Sequence, residues 1–183
     1  KSNSRRVKNK NFKFFFGKPI IEYSLQIAKQ SKLFDKIHVS TESKRIVKKL
    51  EKKIKIEFLR NKKLTKNNVS VLDVLKEDYK KFEDKGYKFD EVWCMSACSP
   101  LLEKSDLINA SKFFNKIKKP VLSVSKFPAP IEWSLILNKN KKENFINNSK
   151  IHLDSKKFDN KFFDTGLFAI FPIKFLKKMN KNN

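Results

Sequence analysis

The sequence predicts an α/β protein with a largely parallel sheet, and three observations carry that reading. Short β-branched or aromatic runs alternate with longer amphipathic stretches along most of the chain. The 183 residues are 39% hydrophobic and 34% charged, which suits one ordinary core. No internal repeat and no linker divides them, so a single domain is expected over 1–183, with an insertion at about 126–161.

Taken in order, Ile20 to Lys32 carries Ile20, Ile21, Ser24, Leu25 and Ala28 at spacings of three and four, the period of a helix buried on one face, and Pro19 suits its first turn. Lys36 to Ser40 reads as a strand. Ser43 to Lys52 repeats the helical arrangement through Ile46, Val47 and Leu50, with Ser43 or Thr41 as its N-cap. A strand over Ile54 to Phe58 follows, then a helix from about Val69 to Lys85 that ends at Gly86. Glu91 to Ser96 is a strand, and Ser105 to Ile117 a helix in which Ser105 caps and Asp106 meets the positive end of the dipole. After Pro120 comes a strand over Val121 to Ser125. The alternation then fails from Lys126 to Lys161, where Pro128, Pro130 and the polar run Asn138 to Lys142 mark an excursion holding one short strand, Trp133 to Leu137. The chain returns as a strand over Gly166 to Phe171.

Composition excludes several classes. Cys94 and Cys98 with two histidines make neither a disulfide framework nor a four-ligand zinc site, so a reducing cytoplasm is expected. No apolar run approaches the ~20 residues that cross a bilayer. The net charge of +24 brings nucleic acid to mind, yet only four of the 43 basic residues are Arg, the residue that bidentate phosphate and base contacts favour. A generic basic surface that attracts small anions is the expected consequence, and nucleic acid is not the expected partner. No Walker-type or dinucleotide-type glycine fingerprint is present. Because the sequence opens on Lys1 and not on methionine, a fragment or processed product is expected.

Three segments can carry chemistry. Ser2 to Asn11 concentrates hydroxyls, amides and cations ahead of the first helix; Ser4, Arg6 and Lys10 can cradle phosphate, the alternative being a solvated N-terminus. Cys94 to Leu102 runs from an apolar strand through Ser96 into small polar residues and Pro100. It is either a binding edge at the carboxyl end of a strand or a simple strand-to-helix connection. Asp164, between aromatic residues at the mouth of a strand, can ligate a nucleotide-bound Mg²⁺ or close a turn around Gly166.

Together these segments resemble the acylneuraminate cytidylyltransferase family, closest to its pseudaminic acid branch. Ser4-Arg5-Arg6-Val7, Lys10-Asn11 and Gly17-Lys18-Pro19 take the places of its phosphate loop and first helix start. Ser31 to Ser43 is similar to its Ser-x-Leu-Phe-Asp-x-Val-x-Val-Ser-Thr-Asp-Ser stretch, and Phe58-Leu59-Arg60 and Leu72-Asp73-Val74 to the elements that follow. Ser99-Pro100-Leu101-Leu102, the Phe127 to Ile131 segment and Asp164-Thr165-Gly166 complete a collinear match over nearly the whole chain.

The resemblance implies a three-layer, Rossmann-like fold of the nucleotide-diphospho-sugar transferase type, here without the family's first strand and C-terminal segment. It implies Mg²⁺-dependent transfer of CMP from CTP to the anomeric hydroxyl of a nonulosonic acid in the cytoplasm, and it allows a homodimer. By position, Arg6 and Lys10 would be catalytic, with Ser4 beside them on the triphosphate. Asn11, Arg60, Asn68, Ser70 and Ser96 would bind nucleotide, and Asp164 the metal. The alternatives are another sugar nucleotidyltransferase, such as a 3-deoxy-octulosonate cytidylyltransferase, and, from a different class, a basic nucleic-acid-binding module.

Overall fold

Pro19, whose ring fixes φ at −55° and removes an N–H that a helix start cannot pair, stands immediately before α1 (Ile20–Ser31). The computed structural model describes residues 7, 9–66, 68–137, 143–145 and 152–179. Ahead of α1, β1 (Phe14–Phe15) and β2 (Lys18–Pro19) form a tight hairpin whose tip needs positive φ at Phe16 and Gly17. The Tyr23 hydroxyl of α1 donates to the Phe15 carbonyl at 2.7 Å and ties the hairpin down.

The next three helices each start where a side chain satisfies a free main-chain N–H group. In α2 (Lys44–Leu50) the cap is Ser43, whose hydroxyl accepts from the Ile46 N–H; Thr41 instead accepts from the Ser43 N–H. Ser70 and Asp73 form a reciprocal capping box at the start of α3 (Val71–Asp84), and Gly86 closes it at φ 83°. α4 (Lys104–Ile117) corrects one expectation. Its N-cap is Glu103, because Asp106 reaches back to accept from the Glu103 N–H at 2.9 Å, while Ser105 sits inside the first turn.

The strands are β3 (Glu91–Met95), β4 (Val121–Lys126), β5 (Leu135–Leu137), β6 (Glu143–Phe145) and β7 (Phe162–Pro172), with α5 (Ile173–Lys178) following directly. In the larger sheet the order is β3-β7-β4. The chain divides into two compact units, 1–121 with 167–183, and 122–166.

In the first unit β3 and β7 pair antiparallel, and their alternation builds three layers. Trp93, Met95, Phe168 and Ile170 face the cluster that holds Leu107 and Phe114 of α4. Val92, Ala169 and Phe171 face the other way, onto Leu72, Leu75 and Tyr79 of α3 and Leu176 of α5. Leu107, Ile170 and Leu176 are fully enclosed, and burial of such side chains stabilises by roughly 1.5–3 kcal/mol each. A third cluster joins Ile21 and Leu25 of α1 to Leu50 of α2 and to Ile54, with Ile37 and Val39 packed partly against it.

The second unit, 122–166, contains the segment expected as an insertion. Within it the Thr165 hydroxyl contacts Ser123 at its carbonyl (3.0 Å) and hydroxyl (2.8 Å), and Phe127 N–H donates to the Lys161 carbonyl. Lys161 pairs with Glu132, and β5 and β6 form an antiparallel ribbon.

Two expectations change. The registered strand pairs are antiparallel, where the sequence predicts a mostly parallel sheet. Lys36 to Ser40 and Ile54 to Phe58 join no ladder among the described residues. β-branched composition favours a strand, but only a neighbouring edge turns it into a ladder.

Candidate functional site

A cavity of about 1020 Å³ opens in the first unit. Its wall begins with the turn at Asn9 to Phe12, which crosses from the hairpin side to the loop after β3. There the Cys98 thiol donates to Asn11 Oδ1 at 3.1 Å. That loop is organised around Ser96. Its carbonyl accepts from Ser24 of α1 (2.9 Å) and from Ser99, and its hydroxyl accepts from the Cys98 N–H. Arg45 and Lys49 of α2 line the same cavity, and the Lys49 ammonium lies 5.1 Å from the Phe12 ring. Lys10, Arg45 and Lys49 therefore supply cations near a cluster of amides and hydroxyls, the donor set that a phosphate chain requires.

The structure thus brings Lys10, Asn11, Arg60 and Ser96 to one cavity. Arg60 is nine-tenths buried, and its guanidinium donates to Glu42 Oε2 at 2.5 Å, so part of its donor fork is committed to an ion pair. Ser70 uses its hydroxyl as the α3 cap, and Asn68 is exposed in the turn before it. Asp164 belongs to the second unit and lies within β7, where its Oδ1 accepts from Gly166 N–H at 2.7 Å, the local backbone bond that one of the two expected readings describes. Ser4 and Arg6 lie outside the described residues. Among the described residues no group of three or more His, Cys, Asp and Glu could hold a metal ion.

Electrostatics separate this wall from a nucleophilic site. Burial pushes the Cys98 thiol up, with Lys10 offsetting in part, and burial pushes Cys94 up as well, so both stay protonated at neutral pH. Burial lowers His38 to about 4, leaving it neutral. The Asp78 carboxyl is raised by burial, against the pull of Ser40, Lys81 and Arg60.

Sequence reasoning missed Arg45, Lys49 and the tie between Cys98 and Asn11. The first two had a signal, since cations four apart share a helix face. The third had none, because its partners stand 87 residues apart.

Residues 1–168 match the family model described as Cytidylyltransferase. The chain is 28% identical over 170 residues to the pseudaminic acid cytidylyltransferase of Campylobacter jejuni, a match covering 92% of this chain and 73% of that protein. It is 27% identical over 134 residues to the CMP-N,N'-diacetyllegionaminic acid synthase of Legionella pneumophila, covering 73% of this chain and 58% of that one. Among solved structures, CMP:2-keto-3-deoxy-manno-octonic acid synthetase complexed with CTP is similar at a TM-score of 0.71 and 14% identity, over 96% of this chain and 72% of that one. At that identity the likeness is one of fold.

Proposed function

We propose that this chain, which belongs to the cytidylyltransferase family, transfers CMP from CTP to the anomeric hydroxyl of a nonulosonic acid and releases pyrophosphate. The observation that carries this reading is the collinear family match over residues 1–168, and two relatives named for CMP-activation of such acids support it. The cations and amides gathered around Lys10, Asn11 and Ser96 suit it chemically.

In the proposed reaction the anomeric oxygen attacks the α-phosphorus, a new P–O bond forms, and the bond to the β-phosphoryl oxygen breaks. The hydroxyl proton balances the added charge on the departing pyrophosphate. Such a transfer asks for alignment and charge neutralisation rather than a covalent intermediate. Lys10, with Ser4 and Arg6, is assigned to the triphosphate, and Asn11 and Ser96 to the nucleotide beside it. Arg60 keeps a nucleotide-facing role only through donors not held by Glu42, and the Asn68 to Ser70 turn acts through Asn68 and its main chain.

Enzymes of this kind generally use a divalent metal, and Mg²⁺ is the ion proposed here. A hard cation of this type needs one or two protein carboxylates, with phosphate and water filling the rest of its shell. Asp164, an exposed carboxylate whose Oδ1 is oriented by Gly166 N–H, fits that demand. When bound, the ion neutralises phosphate charge.

Calorimetric titration of CTP with Mg²⁺ into the protein, followed by pyrophosphate release with nonulosonic acids and with 3-deoxy-octulosonate, tests the reading. Saturable heat and release with a nonulosonic acid are expected. Silence in both measurements, or turnover with 3-deoxy-octulosonate alone, would overturn it.

A further inference from the structure

The hairpin of β1 and β2 carries aromatic rings that the fold leaves uncovered. Phe14 is 75% exposed and Phe16 88%, while Phe15 turns its ring edge-on to Tyr23 of α1, 5.8 Å between centroids. Contacts with α1 hold the main chain beneath these rings. The Tyr23 hydroxyl, bound to the Phe15 carbonyl, lies 3.1 Å from the Phe16 carbonyl as well, and Ile20 N–H donates to the Lys13 carbonyl at 2.9 Å.

Phe16 is ill suited to its place by local rules. With φ 40° at Phe16 and 84° at Gly17, both central residues of the turn are left-handed, the arrangement in which Asn-Gly is the favoured pair. A phenylalanine strains the backbone there, and its ring meets Phe15 edge-on at 4.7 Å while staying open to water. Strain and exposure that packing does not offset point to a use outside the fold.

The same stretch is purely cationic. Among residues 1–21 seven are Lys or Arg and none is Asp or Glu. Lys13 is exposed, and Lys18 contacts neutral groups, Gln26 Oε1 and the Tyr23 ring at 4.0 Å, which leave its charge in place. The two open rings present roughly 300–350 Å², well below the ~800 Å² that each partner gives to a standard protein interface. A lipid surface sets no such requirement. Apolar side chains enter the acyl boundary while neighbouring lysines stay with the anionic headgroups.

We propose that this hairpin anchors the protein on an anionic membrane surface, with the Phe14 and Phe16 rings at the acyl boundary and Lys13 and Lys18 among the headgroups. The proposal does not rest on the nucleotide reading.

Co-sedimentation of the full chain with vesicles of phosphatidylcholine, alone or mixed with phosphatidylglycerol, tests it. Binding to the mixed vesicles is expected, weaker on the neutral ones and falling as salt rises. Phe16→Asn and Phe14→Ser should each lower partitioning at least about tenfold, the scale of one apolar side chain returned to water. Lys13→Glu should lower it several-fold on mixed vesicles only. Because Asn tolerates positive φ, the unfolding midpoint of Phe16→Asn should hold or rise. No binding to mixed vesicles, equal binding to both compositions, or binding that both Phe variants keep overturns the proposal. A midpoint that falls in both Phe variants overturns it too, by making the rings part of the core. Self-association of the lipid-free chain that Phe16→Asn abolishes would overturn it in favour of a contact between two copies.

Discussion

The two edges of β3 are built differently. Toward β7 every residue from Glu91 to Met95 has a registered partner, and the side chains beyond, Ile170 and Leu107, are fully enclosed. Away from β7 there is no ladder partner among the described residues, and a neutral histidine and an incompletely satisfied aspartate face the cavity. Stability resides on the first edge, and the second borders the cavity. An edge whose groups all have partners holds the fold, and one whose groups lack them contributes little to it.

The most direct way to break this contrast is a pair of truncations. Leu107→Ala, on the closed side, should lower stability by about 2–5 kcal/mol. Val39→Ala, on the open side, should cost less than about 1 kcal/mol, because its surroundings are already incompletely packed. Equal shifts in urea midpoint would erase the difference between the edges.

pH offers a second probe of the open edge. His38 has its folded value at about 4 against 6.5 when free, so the unfolded chain binds the proton first. Its contribution is complete above pH 6.5 and is lost as pH falls toward 4, by roughly 3 kcal/mol at most. Denaturant titrations at pH 7 and pH 4 should show that loss, and His38→Phe should reduce it.

Lys10→Ala should raise the KM for CTP by at least about tenfold, the cost of a charge-assisted hydrogen bond of ~1.5–3 kcal/mol, while thermal stability stays level. A fall in stability with KM unmoved would return Lys10 to the solvated surface. Ser70→Ala should cost about 1 kcal/mol through the lost α3 cap, leaving CTP affinity unchanged in calorimetry. The smallest effect is expected of Cys98→Ala, which frees Asn11 and should weaken CTP binding by a few-fold, with Cys98→Ser restoring it; a weak hydrogen bond of ~0.5–1 kcal/mol sets that scale.

Helices were legible because their signals are local. Ile20 to Lys32 was expected and Ile20–Ser31 forms; α3 was expected from about Val69 to Lys85 with its end at Gly86, and it forms over Val71–Asp84 behind the Ser70 cap. The α4 cap was misplaced by two residues, since Asp106 could serve either Ser105 or Glu103 in a linear reading and only backbone geometry chooses. Strands were harder. β3 and β4 lie where alternation puts them, whereas Lys36 to Ser40 has the composition of a strand without the neighbour that makes one.

The site divides in the same way. Lys10, Asn11 and Ser96 were visible as residue types suited to phosphate and nucleotide, and their convergence on one cavity follows from the hydrogen bonds of the loop after β3. The ion pair that holds Arg60 and the thiol that holds Asn11 were invisible in sequence, being contacts between distant segments.

Sequence by itself determined the α/β class, the places of the first four helices and the family, because periodicity and motif order are properties of neighbours along the chain. Only the tertiary structure decided which edges pair, which polar groups are buried without partners, and that one side of β3 is complete while the other borders a cavity. Those outcomes depend on what each edge meets in space, and no local preference encodes a neighbour.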